Sequence, residues 1–527
     1  DQRVVSAWEG MVRSAAREHH RHHENPCAPI QSFPDINFGT TSTIIQSNTK
    51  GDALNIMSSG LILFSGGLVK GAAVLLRDHH DEITSENFSL GFDLIINAII
   101  VHANSGNPAA IMDVTDSSGS AAAASVLPIF LDIASNDEEK IIVKTIIAIA
   151  LTHVNKNVRI EAANGVRNYL WQRDTDFAQK CILGIVEYSR LVALERKSFK
   201  KIDDSNEWLF DFRKKIANGE ITTDIMNVTF DSHSPEQLLT SCSMIPHGST
   251  DPEHVFLISR MLELFGKAEQ DEESPDSHVR KRNRGRMDYK LPTEFGKLLS
   301  DHLFNISKVE VKQRYEEQLQ LLCDTAPDLV KWVLMWTFVS ADKTKKRDRY
   351  WELWSKLSAT MQKIAIKNSK NQSRSNRYED DLVKNQHKLI RDMLFSDLQP
   401  DQVEYERDNL IQGKDLIINF IDTAGVNSVV FESATKLMFH YPDVFFDPGL
   451  KILAKHQKAI GGTQLFARNS AFYLEMSINR FLVENNKSIS KVLYQSCQIL
   501  LDALVDTGSS GAYYLREQMV RSKKIAS

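Results

Sequence analysis

Apolar residues along this chain recur at helical rather than strand spacing. The clearest run begins near Ala121, and residues 139–152 are apolar nearly all round, the pattern of a helix buried between two neighbours. In the next segment Asn155 and Asn157 suit a turn and a helix start. Val158, Ala162, Val166 and Tyr169 then follow as one helical stripe. Asp174 or Asp176 caps a third segment, in which Phe177, Cys181, Ile185, Tyr188 and Val192 repeat the stripe, with Glu187, Arg190 and Glu195 on the wet side. Three antiparallel helices on short turns are predicted. Patterns of the same kind predict helices over 254–265, 293–303, 328–339, 350–366, 378–394, 426–439 and 489–505. Strand-like alternation is scarce, and 221–230 is the best strand candidate. The Pro-Asp steps at Pro34, Pro327, Pro400 and Pro442 read as turns.

The stretch N-x-x-V-R-x-x-A-A-x-G-V, from Asn155 to Val166, resembles the second helix of a HEAT-type repeat. The resemblance implies that Arg159 bridges to a neighbouring repeat and that the alanines let helices approach. A second copy is expected over 465–482, with Arg468 in the bridging place. No fixed period links the two, so the expected fold is all-α: an irregular HEAT/armadillo-like helical-repeat solenoid. Two polar breaks interrupt the pattern. Residues 269–276 are acidic and run directly into a basic cluster, which marks 267–290 as a charged linker or loop, and 367–377 reads as a loop or helix end. The expected division is therefore a helical lead-in over 1–120, HEAT-like repeats over 121–266, the charged segment over 267–290 and C-terminal repeats over 291–527.

Composition agrees with long helices. Only 14 Pro and 24 Gly occur in 527 residues, too few turn formers for a many-stranded sandwich or barrel. The formal net charge of −5 excludes a polybasic nucleic-acid binder. Five widely separated cysteines, Cys27, Cys181, Cys242, Cys323 and Cys497, build neither a disulfide framework nor a metal knuckle, so a reducing, cytoplasmic location is expected. The most apolar early window, 56–76, is broken by Lys70 and by glycines and serines. It reads as buried core rather than a membrane span, which needs about 20 predominantly apolar residues. The chain opens Asp1-Gln2-Arg3 without Met and is expected to be a piece of something longer.

Candidate chemistry is sparse. No GxxxxGK[ST], GxSxG or HExxH motif is present, so no catalytic residue and no cofactor is assigned, and an enzyme active site within this chain is not expected. SGGLVKGAA (Ser65 to Ala73) and GSAAAAS (Gly119 to Ser125) read as close helix packing rather than phosphate cradles. His19, His20, His22, His23 and Cys27 carry metal-ligand chemistry without the spacing of a structural zinc site, and His79, His80 and Asp81 suit a helix C-terminus better. Basic residues Arg280, Lys281, Arg282, Arg284 and Arg286, with Lys345, Lys346 and Arg347, are the candidate ligand or nucleic-acid contacts. Trp332, Trp336, Trp351 and Trp354 lie near the second patch, but the i, i+4 spacing of Trp332 and Trp336 in an apolar helix is core spacing.

The wording AAREHHRHHENPC, PDINFG, SGGLVKGAAVLLRD and NSGNPAAIMD in the first 113 residues, followed by the HEAT-like unit, resembles the helical-repeat region of large bacterial signal-transduction ATPases with numerous domains, some of which act in phage defence. The resemblance implies a sensor part whose ATPase module lies elsewhere. The expected function is recognition of a protein or peptide partner by a helical-repeat surface, with nucleic-acid binding through 280–286 and 343–377 as the alternative. No membrane partner is expected, and self-association would run through flanks outside this stretch.

Overall fold

The computed structural model describes Arg77 and residues 117–527, except 133, 135, 154, 198–206, 229, 231–232, 271–290, 345, 373–380, 396–402, 462–467, 485–489 and 527. Among these residues the chain is all-α, with no strand. It divides into two units between Met261 and Leu262.

In the first unit, α1 (Ser117–Val126) leads through a 3-10 turn (Leu127–Asp132) into α2 (Asp137–Leu151). The Asn136 side chain accepts the Glu139 amide at 2.9 Å, and three acids fill the first turn of α2, favourable at the positive end of the helix dipole. α3 (Lys156–Gly165) starts where the sequence places it, with Asn155 accepting the Asn157 amide at 2.8 Å. It continues through a π segment (Val166–Leu170) to Arg173. There follow α4 (Thr175–Lys197), α5 (Glu207–Ala217), α6 (Pro235–Ser243) and α7 (Pro252–Gln270), the last of which contains the division.

The α4 stripe is buried as its spacing predicts, from Phe177 to Val192. The α3 stripe departs at its end: Val158, Ala162 and Val166 are buried, but Leu170 takes the last core position and Tyr169 is half-buried. The π segment inserts one extra residue into the turn and so shifts the register by one. Alanines Ala123 and Ala124 are fully buried, and α1 packs on α3. A Cβ at Gly165 would land on the Ser125 carbonyl, so tight packing is what the GSAAAAS run does. No strand forms among the described residues of 221–230, the best strand candidate. Asp224 instead caps a 3-10 turn (Ile225–Asn227) through the Met226 amide at 3.0 Å, since an extended run without a partner strand cannot satisfy its backbone.

The second unit contains α8 (Leu291–Asn305), α9 (Val309–Thr325), α10 (Pro327–Lys343), α11 (Arg347–Gln372), α12 (Asp381–Met393), short α13 (Val403–Gln412), α14 (Lys414–Ala424), α15 (Ser428–His440), α16 (Pro442–Ile460), α17 (Arg468–Glu484), α18 (Lys491–Asp506) and α19 (Ser510–Ala526). Side-by-side packing skips along the chain. α8, α10, α12, α15, α17 and α19 pack in that order as one layer, and α9, α11, α14, α16 and α18 form a second. Consecutive helices cross between the layers, which is the construction of a helical repeat. The core between the layers is aromatic: Trp354 is fully buried, donates its indole N–H to the Met393 carbonyl at 3.1 Å and lies 5.9 Å from Phe420.

Candidate functional site

The second unit's two layers turn different chemistry outward. On the layer of α9, α11, α14, α16 and α18 most exposed positions are polar or charged, as at Arg314, Glu317, Lys356, Asn419, Lys455 and Gln498. No aromatic side chain described there is exposed. Its exposed large aliphatics, Val309, Leu321, Ile460 and Val492, stand singly near the two ends of α9, at the end of α16 and at the start of α18.

The other layer carries aromatic and methionine side chains with interleaved cations. On α10, Leu329, Val330, Val333 and Leu334 face inward and are buried. The opposite stripe of this helix is also apolar: Trp332, Trp336 and Val339 are half-buried and Met335 is 41% exposed. Among the described residues one face is covered fully and the other only in part. Lys331 lies 5.3 Å from the Trp332 ring centroid, Lys297 of α8 lies 5.1 Å from that of Trp336, and Lys331 also pairs with Asp392 of α12 at 3.3 Å. Gly296 makes the α8–α10 approach possible, because a Cβ there would stand 2.7 Å from that of Trp332.

Further along the same layer, Phe439 and His440 of α15 meet Tyr473 of α17 at 5.4 and 6.0 Å between ring centroids, and Phe472 lies 5.5 Å from Tyr473. Phe472 is 57% exposed, and Met476, one turn on, 40%. Lys436 sits 5.9 Å from the Tyr473 centroid and pairs with Glu432 at 3.3 Å. Burial, and after it the Lys436 charge, holds the His440 imidazole below its ordinary pKa, so that it stays neutral and adds to the aromatic surface. Between the two clusters, α12 exposes Lys384 and Lys388.

The residues singled out from the sequence fare differently. Arg280 to Arg286, the His19–Cys27 and His79–Asp81 clusters and the N-terminal wording that carries the ATPase resemblance lie outside the described residues, as does Lys345. Lys346 and Arg349 both stand over the Phe304 ring, and Arg349 donates to the Phe304 carbonyl at the end of α8. Arg347 opens α11 and is half-buried. Arg159 is buried and donates to the His153 carbonyl at 2.6 Å, in the turn before its own helix. Arg468 begins α17, and its side chain is outside the description. The four tryptophans split. Trp351 and Trp354 are core, whereas Trp332 and Trp336, which their spacing placed in the core, are half-buried, because the helices packed on α10, namely α8, α9, α11 and α12, leave that stripe partly uncovered among the described residues. Phe439, His440, Phe472, Tyr473 and Met476 had no sequence signal beyond ordinary helix periodicity.

Arginines that sequence reading missed tie elements together. Arg213 of α5 is buried and donates to Thr152 Oγ1 at 2.8 Å, and Arg167, in the π segment, reaches the Ser243 carbonyl at 3.3 Å. Trp171 donates to the Met244 carbonyl at 2.8 Å, so the π segment and its following turn cap the end of α6. Beside them His254 contacts Ser249 Oγ at 2.8 Å and Gln179 Oε1 at 3.1 Å, and Gln179 donates to Glu253 at 2.5 Å. The serine also accepts the Asp251 amide, which makes this a buried pin at the start of α7. The four described cysteines are buried, and desolvation raises every thiol, Cys323 and Cys497 to about 12, so none is a ready nucleophile. Among the described residues no group of three His, Cys, Asp or Glu side chains is placed to hold a metal ion, and no helix is long and apolar enough to cross a membrane.

No protein-family model matches the chain, and no curated protein matches it.

Proposed function

We propose that the chain is a helical-repeat recognition module that docks a protein or peptide partner on the outward face of the layer formed by α8, α10, α12, α15, α17 and α19. The observation that carries this reading is the contrast between the two layers of one stack. One faces solvent mainly with polar residues and singly placed aliphatics, the other with Trp, Phe, Tyr and Met among lysines, the residue types enriched in binding interfaces except that lysine replaces arginine. Stacked helices offer such a surface without a pocket. Joined to a nucleotide-hydrolysing unit elsewhere, the module would serve as the sensor part of a switch, as the N-terminal resemblance implies. The test is selection of binding peptides from a displayed library on the intact chain, followed by variants on each layer. Trp336→Ala and Phe472→Ala are expected to weaken the selected peptides about tenfold or more, and Lys356→Ala and Gln498→Ala to leave them unchanged. Equal loss from both layers, or none from the aromatic one, overturns the reading.

A further inference from the structure

We infer that Asn218 is a site of spontaneous deamidation, where water converts the side-chain amide to a carboxylate through a cyclic imide. An asparagine amide is open to attack by the backbone nitrogen of the next residue. The attack is least hindered when that residue is glycine, which carries no Cβ beside the nitrogen and bends freely. The chain holds two Asn-Gly steps, Asn164-Gly165 and Asn218-Gly219, and the dipeptides are identical. The fold makes them unequal.

Asn164 and Gly165 lie inside the helical run that leads from α3 into the π segment. The imide ring joins the asparagine side chain to the next nitrogen and requires a ψ outside the helical range, so the helix would have to unwind in mid-run. Gly165 is buried against the Ser125 backbone. The Asn164 side chain accepts from Arg167 at 2.8 Å, and the same guanidinium reaches the Ser243 carbonyl. Opening this step therefore disturbs the packing of α3 on α1 and α6.

Asn218 and Gly219 lie in the turn just past α5. Asn218 is exposed, Gly219 has a φ of +72°, and a Cβ on Gly219 would meet nothing nearer than Lys180 Cγ at 3.9 Å. Two bonds close the turn: the Gly219 N–H donates to the Ile216 carbonyl at 3.0 Å, and the Glu220 N–H to the Lys215 carbonyl at 2.9 Å. The first occupies the attacking nitrogen, so reaction waits for this one turn to fray. Helix ends open at a fraction of the global unfolding free energy, and a packed helix interior does not.

Water is the only reagent consumed. The Gly219 nitrogen gives its proton to hydroxide or a buffer base and bonds to Asn218 Cγ. The Cγ–Nδ2 bond then breaks, and ammonia leaves after taking a proton from solvent. Water opens the imide at one of its two carbonyls, leaving an aspartyl or an isoaspartyl residue. The new carboxylate stands at the negative end of the α5 dipole, beside Glu220, whose carboxylate accepts the Asn218 amide at 3.0 Å before the reaction. The isoaspartyl form also adds a methylene to the main chain, which the two turn bonds cannot span unchanged.

The experiment incubates the intact chain at mildly alkaline pH, in buffer and in guanidinium chloride, and follows the peptides that contain each Asn-Gly step by mass spectrometry. In denaturant the two steps are expected to convert at similar rates. In the folded chain Asn218 is expected to convert at least about tenfold faster than Asn164, with isoaspartate among its products. Asn218→Gln, whose longer side chain would have to close a larger ring, is expected to remove the product at this position with an unchanged melting temperature. Equal rates in the folded chain, or faster conversion at Asn164, overturn the inference. So does an Asn218 that stays intact while the denatured chain reacts at both steps. The same preference persisting in denaturant overturns it too, because flanking residues rather than the fold would then set the difference.

Discussion

At the scale of single residues, two histidines, His254 and His440, are expected to make the protein's stability fall in acid. His254 is held below its ordinary pKa of 6.5 by desolvation, against the opposing charge of Asp251. An unfolded histidine takes up a proton at that ordinary value while the folded one resists. The neutral imidazole's contribution is therefore complete above about pH 6.5 and is lost as pH falls through the depressed folded value. Because Trp171, Gln179 and Ser249 all meet this ring, protonation strains α3, α4 and the start of α7 together. His254→Gln is expected to flatten the fall in melting temperature between pH 7.5 and 5, measured by circular dichroism against the parent chain. His440 contributes with the same sign, so the informative quantity is the difference between variant and parent.

At the scale of helices, caps and close approaches hold the stack. Asn427 is fully buried, accepts the Val429 and Val430 amides at the start of α15, and donates to the Ala365 carbonyl of α11 at 2.9 Å. One side chain thus starts a helix in one layer and pins it to the other. Asn427→Ala removes the cap and the cross-layer bond, and is expected to cost about 2–3 kcal/mol in urea unfolding. Asn427→Asp keeps the cap but sets a buried carboxylate oxygen against the Ala365 carbonyl, so its cost should be at least as large. Gly165→Ala places a methyl against the Ser125 backbone, which cannot swing aside as a side chain would. A loss of about 1–3 kcal/mol is expected, typical of overpacking.

For the molecule as a whole, two kinds of aromatic residue should respond oppositely to truncation. Trp354 fills the space between the layers, and its loss is expected to cost about 3–5 kcal/mol. Phe472 and Met476 project from the outer face, so the double alanine variant should stay within about 0.5 kcal/mol of the parent in stability while losing the partner. A large destabilisation of this variant would mean that the outer aromatics support the fold rather than recognition.

Helical class, the repeated α4 stripe, the Asn155 cap and the close packing of the alanine run were all legible in the sequence, because each depends on residues within a turn or two of one another. The Pro-Asp steps at Pro327 and Pro442 mark helix starts for the same local reason. The end of the α3 stripe was not legible, since a single π turn changes which of Tyr169 and Leu170 is buried without altering local composition. Nor was the candidate face. Spacing shows that Trp332 and Trp336 share one side of a helix, and it says equally well that Val330 and Val333 share the other. Which side stays open depends on the helices that pack there, and those come from about 40 to 60 positions away in the chain, as with Lys297 to Trp336 or Lys331 to Asp392. Local pattern therefore determined that this protein is built of amphipathic and doubly apolar helices, and long-range packing settled which of their apolar stripes became core and which stay partly uncovered among the described residues.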